Sequence, residues 1–382
     1  MQCKCSQSDL AAALKKVDAA VSRKNVVPAL AGVLLEAGEG KLRVYATDLD
    51  VGVEVFVPAE VSSPGQALPL HKTFKGLVAS LPDGEVELTA DAAANRLTLV
   101  QEKRRYAFDL LAEPEIFPAF PDAGRSEAFA FAADTLAWAV RSVSPAAAVD
   151  PLQGAFACVL LEKDAEKEVL RLVATDRQRL AVAEAPWVGH ADGEAPANDV
   201  LLPVVSTKAL LDVLSGKAEL RFSGNFVVAR ADGGNGFFAR MGAGAFPNYR
   251  LVLPRDLPEP VKVDAETLKN VLERARLLLE DQNESFGTVG KKYVPVKLEI
   301  MSSVLTVTAL KDPSVFREEI PISGGGPGVE AAVAANALFL LDAVRPLDGE
   351  VFLNLPAGRG LIVVRDAAND CTYTHAVAPI TA

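Results

Sequence analysis

The sequence predicts an α+β protein of three repeated domains, each with two helices packed on antiparallel sheets. Two observations predict it. At 382 residues the chain exceeds what one ordinary hydrophobic core supports, and two or three domains of about 100–150 residues are expected. Five landmarks then recur in the same order along the chain at a spacing of about 130 residues, which is the mark of duplicated units.

The first landmark is a helix-like segment with apolar residues at helical spacing: SDLAAALKKVDAAV, ADTLAWAVRSV and DAETLKNVLERARLLL, led by Leu10, Leu136 and Leu268. A short strand-like piece precedes each copy: QCKCS, AFAFA and PVKVD. A second helix-like segment follows later: HKTFKGLVASL, STKALLDVL and ANALFLLDAV. After it come a glycine turn and a strand, GEVELT from Gly84, GKAELRF from Gly216 and GEVFLNL from Gly349. Between the helices, ALAGVLLEA, KLRVYATD and VGVEVFVPAEV alternate apolar and polar residues as half-buried strands do. Two copies carry Ala-Thr-Asp inside a hairpin, at Ala46-Thr47-Asp48 and Ala174-Thr175-Asp176, and two end in a Phe-Pro corner, Phe117-Pro118 and Phe246-Pro247. Pro and charge interrupt the pattern in FPDAGRSE and LPRDLPEP, which sets the domains at 1–122, 123–256 and 257–382. Helices on one face of each domain's sheets would align six helices along one side of the chain.

Composition narrows the function. Half the residues are hydrophobic, as in a folded globular protein. No run of about 18 apolar residues is present to span a membrane. The N-terminus, MQCKCSQSDL, does not read as a secretion signal, and a reducing cytoplasm is expected. Cys3, Cys5, Cys158 and Cys371 are too scattered for a disulfide framework, and Cys3-Lys4-Cys5 has no second ligand pair nearby for a metal. His71, His190 and His375 each stand without a nucleophile or carboxylate at motif spacing, so acid–base chemistry has little support. Gly233-Gly234-Asn235-Gly236 and Gly324-Gly325-Gly326 lack the context of a phosphate-binding or dinucleotide loop and read as turns. Asp48 and Asp176 fall in separate repeats, which makes them hairpin residues rather than a catalytic pair. No cofactor and no enzymatic activity are expected. The net charge of −11 excludes a protein that grips DNA tightly by phosphate contacts, since such domains are normally basic.

Along essentially its whole length the chain resembles the bacterial beta sliding clamp, the DNA polymerase III beta subunit. The residues that carry the resemblance are NVVPALAGVLLEA and YATDLDVGVEV in the first copy, and RLVATDRQRLAVAEAP and AFPNYRLVLP in the second. The resemblance implies DNA-clamp domains, a head-to-tail homodimer forming a six-domain ring, and a non-catalytic processivity factor that encircles duplex DNA without reading its sequence. A closed ring stays on DNA by topology, so an acidic protein with a mildly basic hole suffices.

In the first helix, Leu10, Leu14, Val17 and Val21 form an apolar stripe, with Lys15 and Lys16 on the opposite side, Arg23 near them and Asp9 also outside the stripe. Taken with the resemblance, Lys15, Lys16, Arg23 and Lys24 face DNA, with His71, Lys72, Lys75, Arg141, Lys208 and Lys269 as further members. In the third copy, the stripe Leu268, Leu272, Ala275 and Leu279 leaves Leu277 on the opposite face and Leu278 at the edge. The resemblance makes Leu277 and Leu278 dimer contacts. It also implies a pocket for short hydrophobic peptides of DNA polymerase, clamp loader and repair proteins, formed by Phe156, Thr175, Arg177, Gln178, Arg179, Leu180, Pro247, Leu251, Val252, Leu361, Val377, Ala378, Pro379 and Ile380.

Two features depart from the family. Arg177-Gln178 stands where Gly-His or Gly-Tyr is usual, and Ala378-Pro379-Ile380-Thr381-Ala382 replaces a Met-rich tail. Methionine fills irregular gaps, so a shallower pocket is expected, in a divergent or accessory clamp. The alternative is a clamp-like scaffold that docks partners without encircling DNA.

Overall fold

The structure, a computed structural model, describes residues 1–22, 27–91, 93–112, 114–194, 199–254, 257–280, 294–309, 316–325, 330–356, 360–366 and 372–380. Six α-helices lie within them: α1 (Gln7–Val17), α2 (His71–Ser80), α3 (Ala133–Val143), α4 (Thr207–Val213), α5 (Ala265–Glu280) and α6 (Ala337–Val344).

Local chemistry accounts for their placement. Ser6 caps α1, its hydroxyl accepting the Asp9 amide at 3.4 Å. Asp9 in the first turn and Lys15 and Lys16 in the last complement the helix dipole. Leu10, Ala13, Leu14 and Val17 are buried at helical spacing. Val21 does not extend that stripe: the helix stops at Val17, a 3-10 turn spans Asp18–Ala20, and Val21 follows it half-buried. Leu268, Leu272 and Ala275 are buried on α5 as expected. Asp264 anchors the start of that helix by accepting the Thr267 amide at 2.8 Å.

Each repeat follows one plan. A strand leads into the first helix: Gln2–Ser6, Ala128–Ala132 and Val261–Asp264. A three-stranded antiparallel meander comes next. In the first repeat it is Leu34–Gly38, Lys41–Thr47 and Val51–Ser63. In the second it is Cys158–Asp164, Val169–Thr175 and Arg179–Pro186. In the third it is Pro295–Met301, Val304–Ala309 and Arg317–Pro321. The second helix follows, then another meander whose first strand pairs antiparallel with the leading strand of the repeat. These second meanders are Glu85–Asp91, Arg96–Gln101 and Arg104–Asp109; then Lys217–Ser223, Phe226–Ala231 and Gly236–Arg240; then Glu350–Asn354, Ile362–Asp366 and Tyr373–Val377.

Two compact units result, Met1–Ala137 with Trp187–Met241, and Trp138–Pro186 with Gly242–Ala382. The middle repeat gives its second meander to the first unit and its first meander to the second unit. Inside each unit a strand joint links two repeats. In the first, Val51–Ser63 pairs with Gly236–Arg240, with Gly52 opposite Phe238. In the second, Arg179–Pro186 pairs with Tyr373–Val377, with Leu180 opposite Ala376. The cores are apolar: Tyr45, Phe74, Phe129, Phe131 and Phe237 are fully buried in the first unit and Tyr373 in the second. Each such side chain contributes about 1.5–3 kcal/mol of burial free energy. Of the two expected domain boundaries, the one at 256 lies outside the described residues.

Candidate functional site

The Ala-Thr-Asp strings build the turns beside both joints. Thr175 Oγ1 donates to the Arg179 carbonyl at 2.7 Å and accepts the Arg177 amide at 3.2 Å. Asp176 Oδ1 accepts the amides of Gln178 at 3.0 Å and Arg179 at 3.1 Å. Thr and Asp side chains thus satisfy backbone groups that the tight turn leaves unpaired. Thr47 and Asp48 make the same four bonds around Leu49, Asp50 and Val51. The third position of each turn is left-handed, with φ of 81° at Leu49 and 73° at Arg177. That is the geometry glycine suits best.

In the second unit the turn borders a cavity of about 250 Å³. Phe156, Leu180, Pro247, Tyr249, Val252, Leu361, Ala376 and Ala378 form apolar walls, and Thr175, Arg177, Gln178 and Arg179 form a polar lip. Arg179 is fixed in place. Its guanidinium bonds Asp176 at 3.2 Å, Asp342 at 2.7 Å and the Pro145 carbonyl, and lies 4.3 Å from the centre of the Phe339 ring. Tyr249 Oη donates to Glu162 at 2.8 Å, and burial together with that carboxylate pushes the phenol up to about 12. Burial acts to raise the Glu162 carboxyl, but bonds from Arg250 and Tyr249 outweigh it and hold it below the usual range. Arg177 is exposed, with its guanidinium 4.4 Å from the centre of the Phe156 ring.

Ten of the fourteen residues expected at this pocket line it. Leu251 does not, being 75% exposed away from the walls. Val377 is fully buried, because alternation along the strand turns it to the face opposite Ala376 and Ala378. Pro379 and Ile380 lie past the lining, where the Ile380 amide donates to the Ala334 carbonyl at 2.8 Å. Sequence reading missed Tyr249 and Ala376. The period of two that places Ala378 also places Ala376, and Tyr249 follows the Phe246-Pro247 corner by two residues.

The proposed DNA-facing cations divide into two groups. Lys15, Lys72, Arg141 and Lys208 are exposed, Lys16 is half-buried, and none makes an ion pair among the described residues. Lys75 differs, because Asp18 sits 2.6 Å from its Nζ and also meets His71 at 3.0 Å. Lys269 is held by the Leu347 carbonyl at 2.5 Å and lies 3.6 Å from Asp348. Arg23 and Lys24 lie outside the described residues. On α5, Leu277 is 64% and Leu278 42% exposed. One turn earlier, Arg274 makes a two-pronged pair with Glu318 at 2.7 and 2.5 Å, tying the helix to strand Arg317–Pro321.

The thiols of Cys3, Cys5 and Cys158 are buried and pushed up to about 11, 12 and 11; Cys371 lies outside the described residues. Among the described residues, no three His, Cys, Asp or Glu side chains converge on a metal-sized site. No helix there is long and apolar enough to cross a membrane.

Residues 1–121 match the model of the DNA polymerase III beta subunit, N-terminal domain. The beta sliding clamp of Streptomyces coelicolor is 28% identical over 367 residues, covering 92% of each chain. That of Caulobacter vibrioides is 26% identical over 358 residues, 91% of each. The Escherichia coli clamp is 25% identical over 361 residues, 93% of each. Among solved structures, the Thermotoga maritima beta subunit superposes with a TM-score of 0.81 at 24% identity over both full chains. A Helicobacter pylori beta clamp bound to a DNA ligase peptide superposes with 0.86 at 19% identity, again over both full chains. With three repeats of one plan, two strand joints and matches spanning nearly the whole sequence, the chain is similar along its length to the DNA polymerase III beta subunits, the beta sliding clamps, and residues 1–121 match that family's N-terminal domain.

Proposed function

We propose that this protein is a non-catalytic DNA sliding clamp. Two copies of three domains each (1–122, 123–256 and 257–382) close head to tail around duplex DNA, and the pocket of the second unit tethers replication and repair proteins by short hydrophobic peptides. The observation that carries the ring is the joint. Twice within the chain, the third strand of one repeat's first meander pairs with the last strand of the next repeat. The same rule leaves one edge at each end, because Arg317–Pro321 pairs only with Val304–Ala309, and Arg104–Asp109 only with Arg96–Gln101, among the described residues. Joining those edges between two copies closes a ring. Leu277 and Leu278 on α5 would be covered beside the seam. The exposed Lys15, Lys72, Arg141 and Lys208 and the half-buried Lys16 supply a weak, sequence-independent attraction to phosphates, and topology supplies retention.

Light scattering of the wild type and a Leu277→Asp/Leu278→Asp double variant tests the seam. A dimer that becomes a folded monomer is expected, because unpaired charge buried at an interface costs several kcal/mol. Loading onto nicked circular DNA tests encirclement: the bound protein should leave when the circle is cut. Equal retention on linear and circular DNA would instead mean a scaffold that docks partners without encircling.

A further inference from the structure

The lip of the pocket holds one positive charge that makes no ion pair among the described residues. The other cation of the lip, Arg179, is committed to Asp176 and Asp342, and the nearby Arg171 and Arg250 outside the lip are committed to Glu162, Asp164 and Glu184 and to Glu162, respectively. Arg177 makes no ion pair among the described residues and stands exposed on the pocket wall, stacked on Phe156. We propose that the peptide docked by this clamp carries a carboxylate beside its hydrophobic anchor, and that Arg177 reads it. This rests on the pocket being the peptide site.

Three features support the assignment. First, the guanidinium carbon of Arg177 sits over the Phe156 ring, 4.4 Å from its centre, and a guanidinium that packs face-on against a ring keeps its in-plane N–H donors for a carboxylate's two oxygens. Second, no acid among the described residues pairs with it. The nearest in sequence, Asp176, is buried and already accepts from Arg179 and two turn amides. Third, the turn does not call for arginine. The equivalent turn of the first unit folds with the same bonds and a leucine at the same left-handed position. Arginine at 177 therefore serves something outside the turn, and its side chain is the one that lines the pocket. The remaining wall is apolar, so the guanidinium is the group best placed to set the charge preference of the partner.

Calorimetric titration with two synthetic peptides tests this. One has a Leu-Phe anchor with a flanking Asp, and the other has Asn in place of the Asp. Wild-type protein should bind the Asp form about tenfold more tightly at low salt, the usual scale for a charge-assisted hydrogen bond, and the preference should shrink at high salt. In Arg177→Gln the two peptides should bind alike, and Arg177→Lys should restore part of the preference without the planar fork. If both peptides bind the wild type equally, and Ala376→Phe abolishes both, the pocket reading stands and the role of Arg177 is overturned. If neither binds, or Ala376→Phe changes nothing, the docking site falls and this inference with it. If Arg177→Gln weakens duplex DNA binding but leaves both peptides unchanged, the arginine belongs to DNA and the proposal is wrong.

Discussion

The two strand joints share one backbone frame, yet one is filled and the other holds a cavity. Thr47 pairs with Gly52 and Thr175 with Leu180 in the two hairpins, so Gly52 and Leu180 are equivalent. Across the joint they face Phe238 and Ala376. The Arg240 amide donates to the Asp50 carbonyl at 2.7 Å, and the Ala378 amide to the Gln178 carbonyl at 2.8 Å, which extends the equivalence to Arg240 and Ala378. Phe226 pairs with Arg240; Ile362 pairs with Val377, so Leu361 takes the place of Phe226 beside Ala378. In the first unit the Phe238 ring covers Gly52 so closely that a Cβ there would come within 2.0 Å of it. The ring meets Phe120 and Phe226 edge-on at 5.2 and 5.4 Å, and Arg240 covers Phe226 while pairing with Asp50 at 2.9 Å. In the second unit alanines replace Phe238 and Arg240, and leucine replaces Phe226. Side-chain volume at a few positions, not backbone topology, decides which joint holds a cavity.

The largest effect should come from emptying the filled joint. Phe238→Ala is expected to destabilise the protein by about 3–5 kcal/mol, the usual range for a buried phenylalanine. Gly52→Leu alone should also destabilise, since the new side chain meets the ring. Combined, they copy the Leu180–Ala376 pair, and the double variant should be more stable than the two losses added, by at least about 1 kcal/mol. Denaturant unfolding of the four proteins measures the coupling. Simple additivity would show that the two joints are not interchangeable.

The converse change should close the open joint. Ala376→Phe places a ring in the cavity and should weaken peptide binding by about 1–3 kcal/mol, ten- to a hundredfold. Ala378→Met should act oppositely, extending the wall and tightening a generic clamp-binding peptide several-fold. Isothermal titration measures both. Unchanged affinity in Ala376→Phe would place the peptide elsewhere.

The joints differ in pH response as well. His375 occupies, beside Ala181, the position that Phe237 occupies beside Val53. It is fully buried, its Nδ1 is 2.8 Å from Tyr373 Oη, and burial with the nearby Arg179 charge lowers its pKa from 6.5 to about 3. A lowered folded-state value means that the unfolded chain takes up the proton first. The contribution is therefore complete above about pH 6.5 and falls with pH toward 3, at about 1.4 kcal/mol per unit. Between pH 7 and 5 this amounts to about 2 kcal/mol. Burial lowers His71 too, which adds in the same direction. His375→Phe installs the residue of the first unit and should flatten the slope between pH 6.5 and 5, whatever it does to stability at pH 7. An unchanged slope would assign the acid sensitivity to other groups.

What the sequence made legible follows the range of the interactions. Helix α3 has the bounds its apolar spacing predicts, and the strands before the first two helices match theirs, because such patterns are local. The lip of the pocket, Thr175 to Leu180, was legible for the same reason: a single hairpin turn brings it together. Ala376 was missed because strand register across the joint brings it to the pocket, and the one local sign of it was the period of two back from Ala378. The ion pair at Lys75 was hidden for the same reason, since its partner Asp18 comes from another element.

The smallest effect isolates the turns themselves. Leu49 and Arg177 hold left-handed backbone at φ of 81° and 73°, a conformation that costs a side-chain-bearing residue about 1–2 kcal/mol. Glycine removes that cost but loses about 0.5–1 kcal/mol of chain entropy on folding. Leu49→Gly should therefore stabilise by less than about 1 kcal/mol. Leu49 is 45% exposed, so little packing is lost. Arg177→Gly gains the same relief but gives up the guanidinium contact with Phe156 at 4.4 Å, worth about 0.5–1 kcal/mol at an exposed site. Its net change should lie near zero and below that of Leu49→Gly. Parallel denaturant titrations resolve the order. If Arg177→Gly stabilises as much as Leu49→Gly, the stacking on Phe156 contributes nothing in solution, and the orientation of Arg177 toward a bound carboxylate would have to come from the peptide rather than from the wall.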